Sequence, residues 1–408
     1  MHIDRNQEAF FELVRAGLWP NDNLNLNDNH VSFKDVDWEA VYNLASEQSV
    51  VGLVAAGMEN VDVDLDLDVD HNANIPLELK LQIIGEALQI EQQNKEMNGF
   101  VARLIDKLRE EDVYAVLVKG QGIAQCYERP LWRSSGDVDL LLSEDNYKKA
   151  KEVLEKIADS AERETAKNTE RQHQEYQISG WTVELHGTMH ANLSRRTDRE
   201  IDQVQREVFF AGKVRSEEFK SSHPTRGIRR AKPGASSSNG SSVPVFLPAP
   251  DEDVIFVFTH ILQHLFLEGI GLRQICDWCR LLYTYREKLD LRLLEDRIRR
   301  MGLMTEWRVF AALAVQYLGM PVEAMPIFGS SVQEFKGKAE RLMDFVMEVG
   351  NFGHNREVEW SDGFKRRTSL IWHRITDTIK LSRVFPVDAP KFLMNYVLDG
   401  ARGLIKRN

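Results

Sequence analysis

Residues 114–142 read YAVLVKGQGIAQCYERPLWRSSGDVDLLL, and this stretch decides the fold. Its first part, Tyr114 to Val118, is a short apolar run of strand composition. It stops at Lys119-Gly120-Gln121-Gly122, a turn that leads into a short predicted helix, Ile123 to Tyr127. A polar loop containing Arg133, Ser134, Ser135 and Gly136 follows, and Asp137 to Leu142 forms a second strand. Side chains alternate along a strand, so Asp137 and Asp139 share one face while Val138, Leu140 and Leu142 share the other. Two carboxylates about 7 Å apart on one face of an otherwise apolar strand are costly to hold without a cation. Mg²⁺ suits them, because it takes hard oxygen ligands and phosphate together.

Two further stretches complete a chemical set. Gln174 to Ser179 and Trp181 to His186 read as a hairpin turned at Gly180. Its second arm puts Glu184 and His186 on one face, opposite Val183 and Leu185. Glu184 can join Asp137 and Asp139 in a three-carboxylate cage for two metal ions, which would align an attacking hydroxyl and a leaving pyrophosphate. Glu175, on the preceding arm, is the weaker substitute. The glycines of the Lys119–Gly122 turn let backbone N–H groups approach a phosphate, and Lys119 adds a point charge.

These residues resemble the nucleotidyltransferase superfamily of the DNA polymerase beta type. More closely, VLVKGQGIAQCYERPLWRSSGDVDLLL (116–142), VELH (183–186) and HILQHLFLEGIGLRQICDWCRLL (260–282) resemble the uncharacterised bacterial nucleotidyltransferase family. The resemblance runs from about Asp37 to Leu282 and includes GNFG at 350–353. It implies an enzyme that moves a nucleoside monophosphate from a Mg²⁺- or Mn²⁺-bound nucleoside triphosphate, ATP among the choices, to an acceptor hydroxyl. It implies that Asp137, Asp139 and Glu184 bind the metal and that Gly120 to Gly122 hold the phosphates. Lys119, Gln121, Arg133, Ser134 and Ser135 would complete the nucleotide site, with His186 and Arg273 as candidate substrate contacts. The chain departs from the superfamily in placing Lys119-Gly120 where Gly-Ser is usual, so Ser134 or Ser135 would have to supply the missing hydroxyl. Lys119 can clamp the triphosphate, the role expected here, or neutralise an aspartate in an inactive member that only binds a nucleotide or protein.

The rest of the chain frames this unit. The expected fold class is α+β: a small mixed-sheet nucleotidyltransferase core over 100–248, preceded by helices over 1–99 and followed by a large helical region over 249–408. Asp37 to Asn60 has helical spacing with Asp37 as cap, and Pro76 to Glu111 reads as one long helix. Between them VDVDLDLDVD (61–70) lacks the glycine and terminal glutamate of a calcium loop, so it is expected to be a solvated acidic loop or edge strand. Glu144 to Ile157 is a further expected helix, and Val243 to Leu247 a return to the sheet. Ser221 to Ser242 is Ser-, Gly- and Arg-rich and reads as a flexible loop.

Composition narrows the partners. A formal charge of −11 argues against nonspecific binding to a nucleic-acid backbone. Three cysteines, an amphipathic rather than apolar N-terminus and the absence of a membrane-length apolar run point to a reduced, cytoplasmic protein. His260 and His264 have the i, i+4 spacing of zinc ligands, but they lie on an apolar helix face without a zinc-protease glutamate and read as cleft or core histidines. Cys276 and Cys279 lack the second pair a zinc site needs. Arg273 and Asp277 are spaced for an ion pair along one helix.

Overall fold

A seven-stranded mixed sheet carries the unit read above, and helices cover both of its faces. The computed structural model describes residues 4–20, 33–64, 75–161, 172–220, 242–329, 332–353, 355 and 363–405. The strands are β1 (Val116–Val118), β2 (Asp137–Leu141), β3 (Ser160–Ala161), β4 (His173–Ile178), β5 (Trp181–His186), β6 (Val214–Lys220) and β7 (Ser242–Pro248). Their order is β3-β4-β5-β2-β1-β7-β6. β2 lies between β1, antiparallel to it, and β5, parallel to it. β7 joins the other side of β1 in parallel.

Alternation along these strands divides the sheet chemically. Leu117, Val138, Leu140, Tyr176, Ile178, Val183, Leu185, Val245 and Leu247 point to one side and make one hydrophobic core with Tyr147, Ala150 and Val153. Those three belong to the helix Glu144–Leu154, whose last turns are shorter than the sequence pattern suggested. The other face carries Val116, Val118 and Leu141 into a second core. That core also contains Phe10 and Val14 of the N-terminal helix Arg5–Leu18, and Phe258, Trp278, Trp307 and Phe310 from helices after β7. The N-terminal and C-terminal helices therefore share one core. Trp19 Nε1 donates to Leu318 O at 2.7 Å and Arg15 Nε donates to Tyr317 O at 2.9 Å across this contact. The long helix Leu77–Glu110 serves both cores: Leu79, Ile83 and Ala87 pack in the second, and Met97, Phe100, Leu104 and Leu108 in the first.

Several boundaries differ from the sequence reading. Asp37 caps as expected, accepting from the Glu39 and Ala40 amides, but two helices follow, Trp38–Glu47 and Val51–Asp64, because Ser49 turns to φ 56° between them. Val61 to Asp64 therefore continue a helix rather than open a loop or strand, and Val61 packs against the core; residues 65–70 lie outside the described residues. Of the segment expected to be flexible, 221–241 also lies outside them, while Ser242 already belongs to β7. β6 went unread because it is an edge strand in which Phe219 alone is fully buried, so it lacks a hydrophobic alternation. No helix among the described residues is long and apolar enough to cross a membrane.

Candidate functional site

The register of β2 and β5 builds the site. Asp139 pairs with Glu184 and Asp137 with Thr182, so the three acidic side chains rise from the same face of adjacent strands. Donor oxygens of Asp137, Asp139 and Glu184 lie within 4.8 Å of one another. Such crowding has an electrostatic signature: the charge of Asp139, with burial, pushes the Asp137 carboxyl above its ordinary range. Glu175 stands opposite Glu184 in the β4–β5 ladder but accepts from Gln177 and is not one of the converging groups.

Three cationic or polar groups answer this charge. Lys119 Nζ lies 2.6 Å from Asp139 Oδ1, which is the neutralising arrangement among the two roles open to this lysine. Burial alone would lower Lys119, but the charges of Asp139, Glu184 and Asp137 outweigh it and raise its pKa. His186 Nε2 lies 2.8 Å from Asp139 Oδ1 and 3.3 Å from Glu184 Oε2. Burial and Lys119 would lower His186; its bonds to Asp139 and Glu184 prevail and raise it. His173 Nε2 stands 3.2 Å from the same Glu184 oxygen. Burial would raise Glu184, yet the two histidines and Lys119 hold it far below the usual carboxylate range, so it stays ionised.

Lys119 is placed by an unusual backbone. Its φ of 58° with ψ of −147° lies in a region that glycine enters freely and other residues at a cost of about 1–3 kcal/mol. The short helix begins at once, over Gly120–Ala124, three residues earlier than its apolar residues suggested. Gly120 and Gly122 sit inside it for steric reasons. Gly120 has φ 32°, and a Cβ on Gly122 would come within 2.6 Å of Leu247 Cδ2. Gln121 is buried and turns away from the carboxylates, donating to Asn94 Oδ1 at 2.8 Å.

The loop before β2 is held from below. Arg133 donates to both oxygens of Asp277, each at 2.7 Å, and Tyr127 donates to Oδ1 at 2.7 Å. The expected Arg273–Asp277 pair is corrected by this arrangement. Asp277 lies on the buried face of the helix Leu272–Tyr285, where Arg133 meets it with both donors. Arg133 is thereby committed to the interior, and its remaining nitrogen donates to Ser134 O and Ser135 Oγ. Arg273 instead donates from one nitrogen to Ser134 O at 2.8 Å, and its buried Nε has no partner. Burial and the nearby Arg133 charge lower Arg273, while Asp137 and Asp277 act the other way.

His260 belongs to this neighbourhood too. Burial lowers it strongly, followed by the charges of Lys119, His264 and His186, so it is neutral beside the cluster. Its ring meets that of His264 edge-on at 4.3 Å. Cys276 and Cys279 are fully buried thiols that burial pushes up, and no metal-binding group among the described residues includes them. His173 is the site residue that sequence reasoning missed. A two-residue turn at Ser179-Gly180 was the available signal, since it places His173 directly opposite His186, one residue beyond the arm as read. Two surface cavities of about 500 Å³ lie elsewhere, one lined by Phe33, Trp38 and Leu79, the other by Arg199, Glu200 and Arg300.

The profile of a family described as uncharacterised nucleotidyltransferases matches residues 34–319, which contain every residue of the carboxylate site and its surrounding helices named above. No curated protein and no solved structure matches the chain significantly.

Proposed function

The chain belongs to this family of nucleotidyltransferases, and from that membership we propose that it transfers a nucleoside monophosphate from a metal-bound nucleoside triphosphate to an acceptor hydroxyl. The acceptor hydroxyl oxygen attacks the α-phosphorus as its proton passes to water, the bond to the α,β-bridging oxygen breaks, and pyrophosphate leaves. The observation that carries this reading is the β2–β5 register, which brings Asp137, Asp139 and Glu184 together at the end of a Lys-Gly turn.

The donor set fits a hard divalent cation. Three crowded carboxylates, with the Lys119 amine against one of them, would hold Mg²⁺ or Mn²⁺ through oxygen alone. The bound ion would supply charge neutralisation for the triphosphate and the leaving group. Glu184 is held as the anion, which suits a ligand and makes it a poor proton acceptor. Arg273, with one hydrogen bond and a charge that acts on Asp137, offers the charge-assisted contact a phosphate needs. Lys119 to Gly122 would border the same phosphates, and Ser134 and Ser135 would remain loop supports. The helix Pro250–Leu267, through His260, would border the acceptor side.

Pyrophosphate release from each nucleoside triphosphate with Mg²⁺, measured against pools of hydroxyl-bearing acceptors, tests the proposal. Asp139→Asn should lower the rate at least about 100-fold, the scale for losing one preorganised electrostatic contact. An unaltered rate in that variant would remove the site from the reaction.

One observation favours a rival, a binding protein without transfer: the Lys119 amine already occupies Asp139. If it blocks metal, Lys119→Ala should tighten Mn²⁺ binding about tenfold or more, since a unit charge at contact distance is removed. If it clamps phosphate, the same change should weaken nucleotide binding by about 1–3 kcal/mol and leave metal affinity close to the parent. Lys119→Gly adds a control, because it relieves the backbone at φ 58° and should be about 1 kcal/mol more stable than Lys119→Ala. Mn²⁺ titration with and without nucleotide, and thermal unfolding of both variants, separate these outcomes.

A further inference from the structure

The β4–β5 hairpin holds a ligand set that oxygen-only chemistry leaves unexplained. We infer that His173, Glu184 and His186 form a second metal site, selective for a borderline divalent cation such as Zn²⁺ or Co²⁺ over Mg²⁺. It rests on the proposed function only through Glu184, which both groups share.

Both imidazoles aim Nε2 at one oxygen. His173 Nε2 is 3.2 Å and His186 Nε2 3.3 Å from Glu184 Oε2, and donor atoms of all three residues lie within 4.8 Å of one another. Ligand atoms about 2.0–2.1 Å from a tetrahedral ion stand about 3.3 Å apart, which is the spacing of each imidazole nitrogen from Glu184 Oε2. The rings are 4.9 Å apart and tilted by 53°, approaching the carboxylate from different directions instead of stacking.

The scaffold fixes this spacing without help from a loop. His173 and His186 are direct cross-strand partners, and Glu184 is two residues from His186 on the same face. The turn is short, with Ser179 at φ 52° and Gly180 at φ 83°, so the pairing cannot slide. A route from solvent exists, because the His173 side chain is 33% exposed and that of Glu184 21%.

Hydrogen bonding alone serves the cluster poorly. His186 Nε2 has Asp139 Oδ1 at 2.8 Å and Glu184 Oε2 at 3.3 Å, and one N–H cannot point along both directions. A cation shared with His173 would take the place of that Nε2 proton, and His186 would then ligate it through the nitrogen lone pair. Imidazole nitrogens select zinc-like ions, whereas the aspartate side of Glu184 offers oxygen only.

Co²⁺ tests the inference, because its visible ligand-field absorption reports nitrogen ligation and low coordination number. The full-length protein should bind one Co²⁺ with such absorption, and Zn²⁺ should abolish the signal while excess Mg²⁺ leaves it. His173→Ala removes a partly exposed ligand and leaves the core intact. It should cost at least about 100-fold in Co²⁺ affinity, the upper end of what even an outer-shell partner costs. Asp137→Asn should retain affinity within a few-fold. No Co²⁺ absorption in the parent, or parental affinity in His173→Ala, overturns the site. Pyrophosphate release in Mg²⁺ alone reports on the proposed reaction independently, so each reading can fail by itself.

Discussion

Asp277→Ala should destabilise the protein by about 3–5 kcal/mol, the cost of leaving a buried charge without its partner. Asp277 receives two bonds from Arg133 and one from Tyr127, all at 2.7 Å, and the arginine and aspartate side chains are 5% and 6% exposed. Without the carboxylate, a guanidinium remains in the interior and the Tyr127 hydroxyl loses its acceptor. The pair also ties the helix Leu272–Tyr285 to the loop that enters β2, so a drop in pyrophosphate release should accompany the drop in stability. Tyr127→Phe removes one hydrogen bond and should cost about 1 kcal/mol. The double change Arg133→Met with Asp277→Leu should recover most of the loss, because an apolar pair of similar volume has no charges to desolvate. Urea unfolding of the four proteins decides the matter. A loss below about 1 kcal/mol in Asp277→Ala would show that this pair is not a buried anchor.

The second large effect lies far from the site. Glu306, in the helix Met304–Leu318, is 1% exposed and lies against the carboxyl of Asp388. Burial, reinforced by the charge of Asp388, pushes it up to about 8. Below the ordinary glutamate value, near 4.3, folded and unfolded chains both hold this proton. Between that pH and about 8 the unfolded chain has lost it and the folded chain keeps it, so each unit of rising pH favours unfolding by as much as about 1.4 kcal/mol. The stability present at low pH is therefore lost as pH rises through the folded value, to a total of a few kcal/mol. Glu306→Gln has no proton to lose. It should flatten this part of the stability–pH curve and melt higher than the parent at pH 9, with little gain at pH 5. Parallel curves for parent and variant would show that Glu306 ionises normally in the fold.

Legibility followed the range of the interactions. Asp137, Asp139, Val138 and Leu140 announce a two-faced strand through their own alternation, and VELH repeats the signal, so the carboxylate face could be read before any tertiary contact was known. Membership of the family was likewise carried by local motifs. What the sequence concealed depends on partners distant in the chain. Asp277 was assigned to Arg273 because helical spacing makes them neighbours, yet Arg133, 144 positions away, offers two donors on the buried face. Lys119 was legible as a charge beside glycines, but its hydrogen bond to Asp139 depends on a strained φ that no composition encodes. β6 shows the opposite problem: half-solvated at an edge, it needs no apolar pattern to be a strand.

The helix Leu77–Glu110 has a consequence for synthesis on the ribosome. Its last turns pack against Val243, Val245 and Leu247, in a strand that ends at Pro248. At about 5–20 residues per second, the chain from the end of that helix to the end of that strand takes on the order of ten seconds to emerge. Throughout that interval Met97, Phe100, Leu104 and Leu108 lack their last partners. A nascent chain paused before Pro248 should be a preferred client for a chaperone that captures exposed apolar helix faces, and one released past it should not.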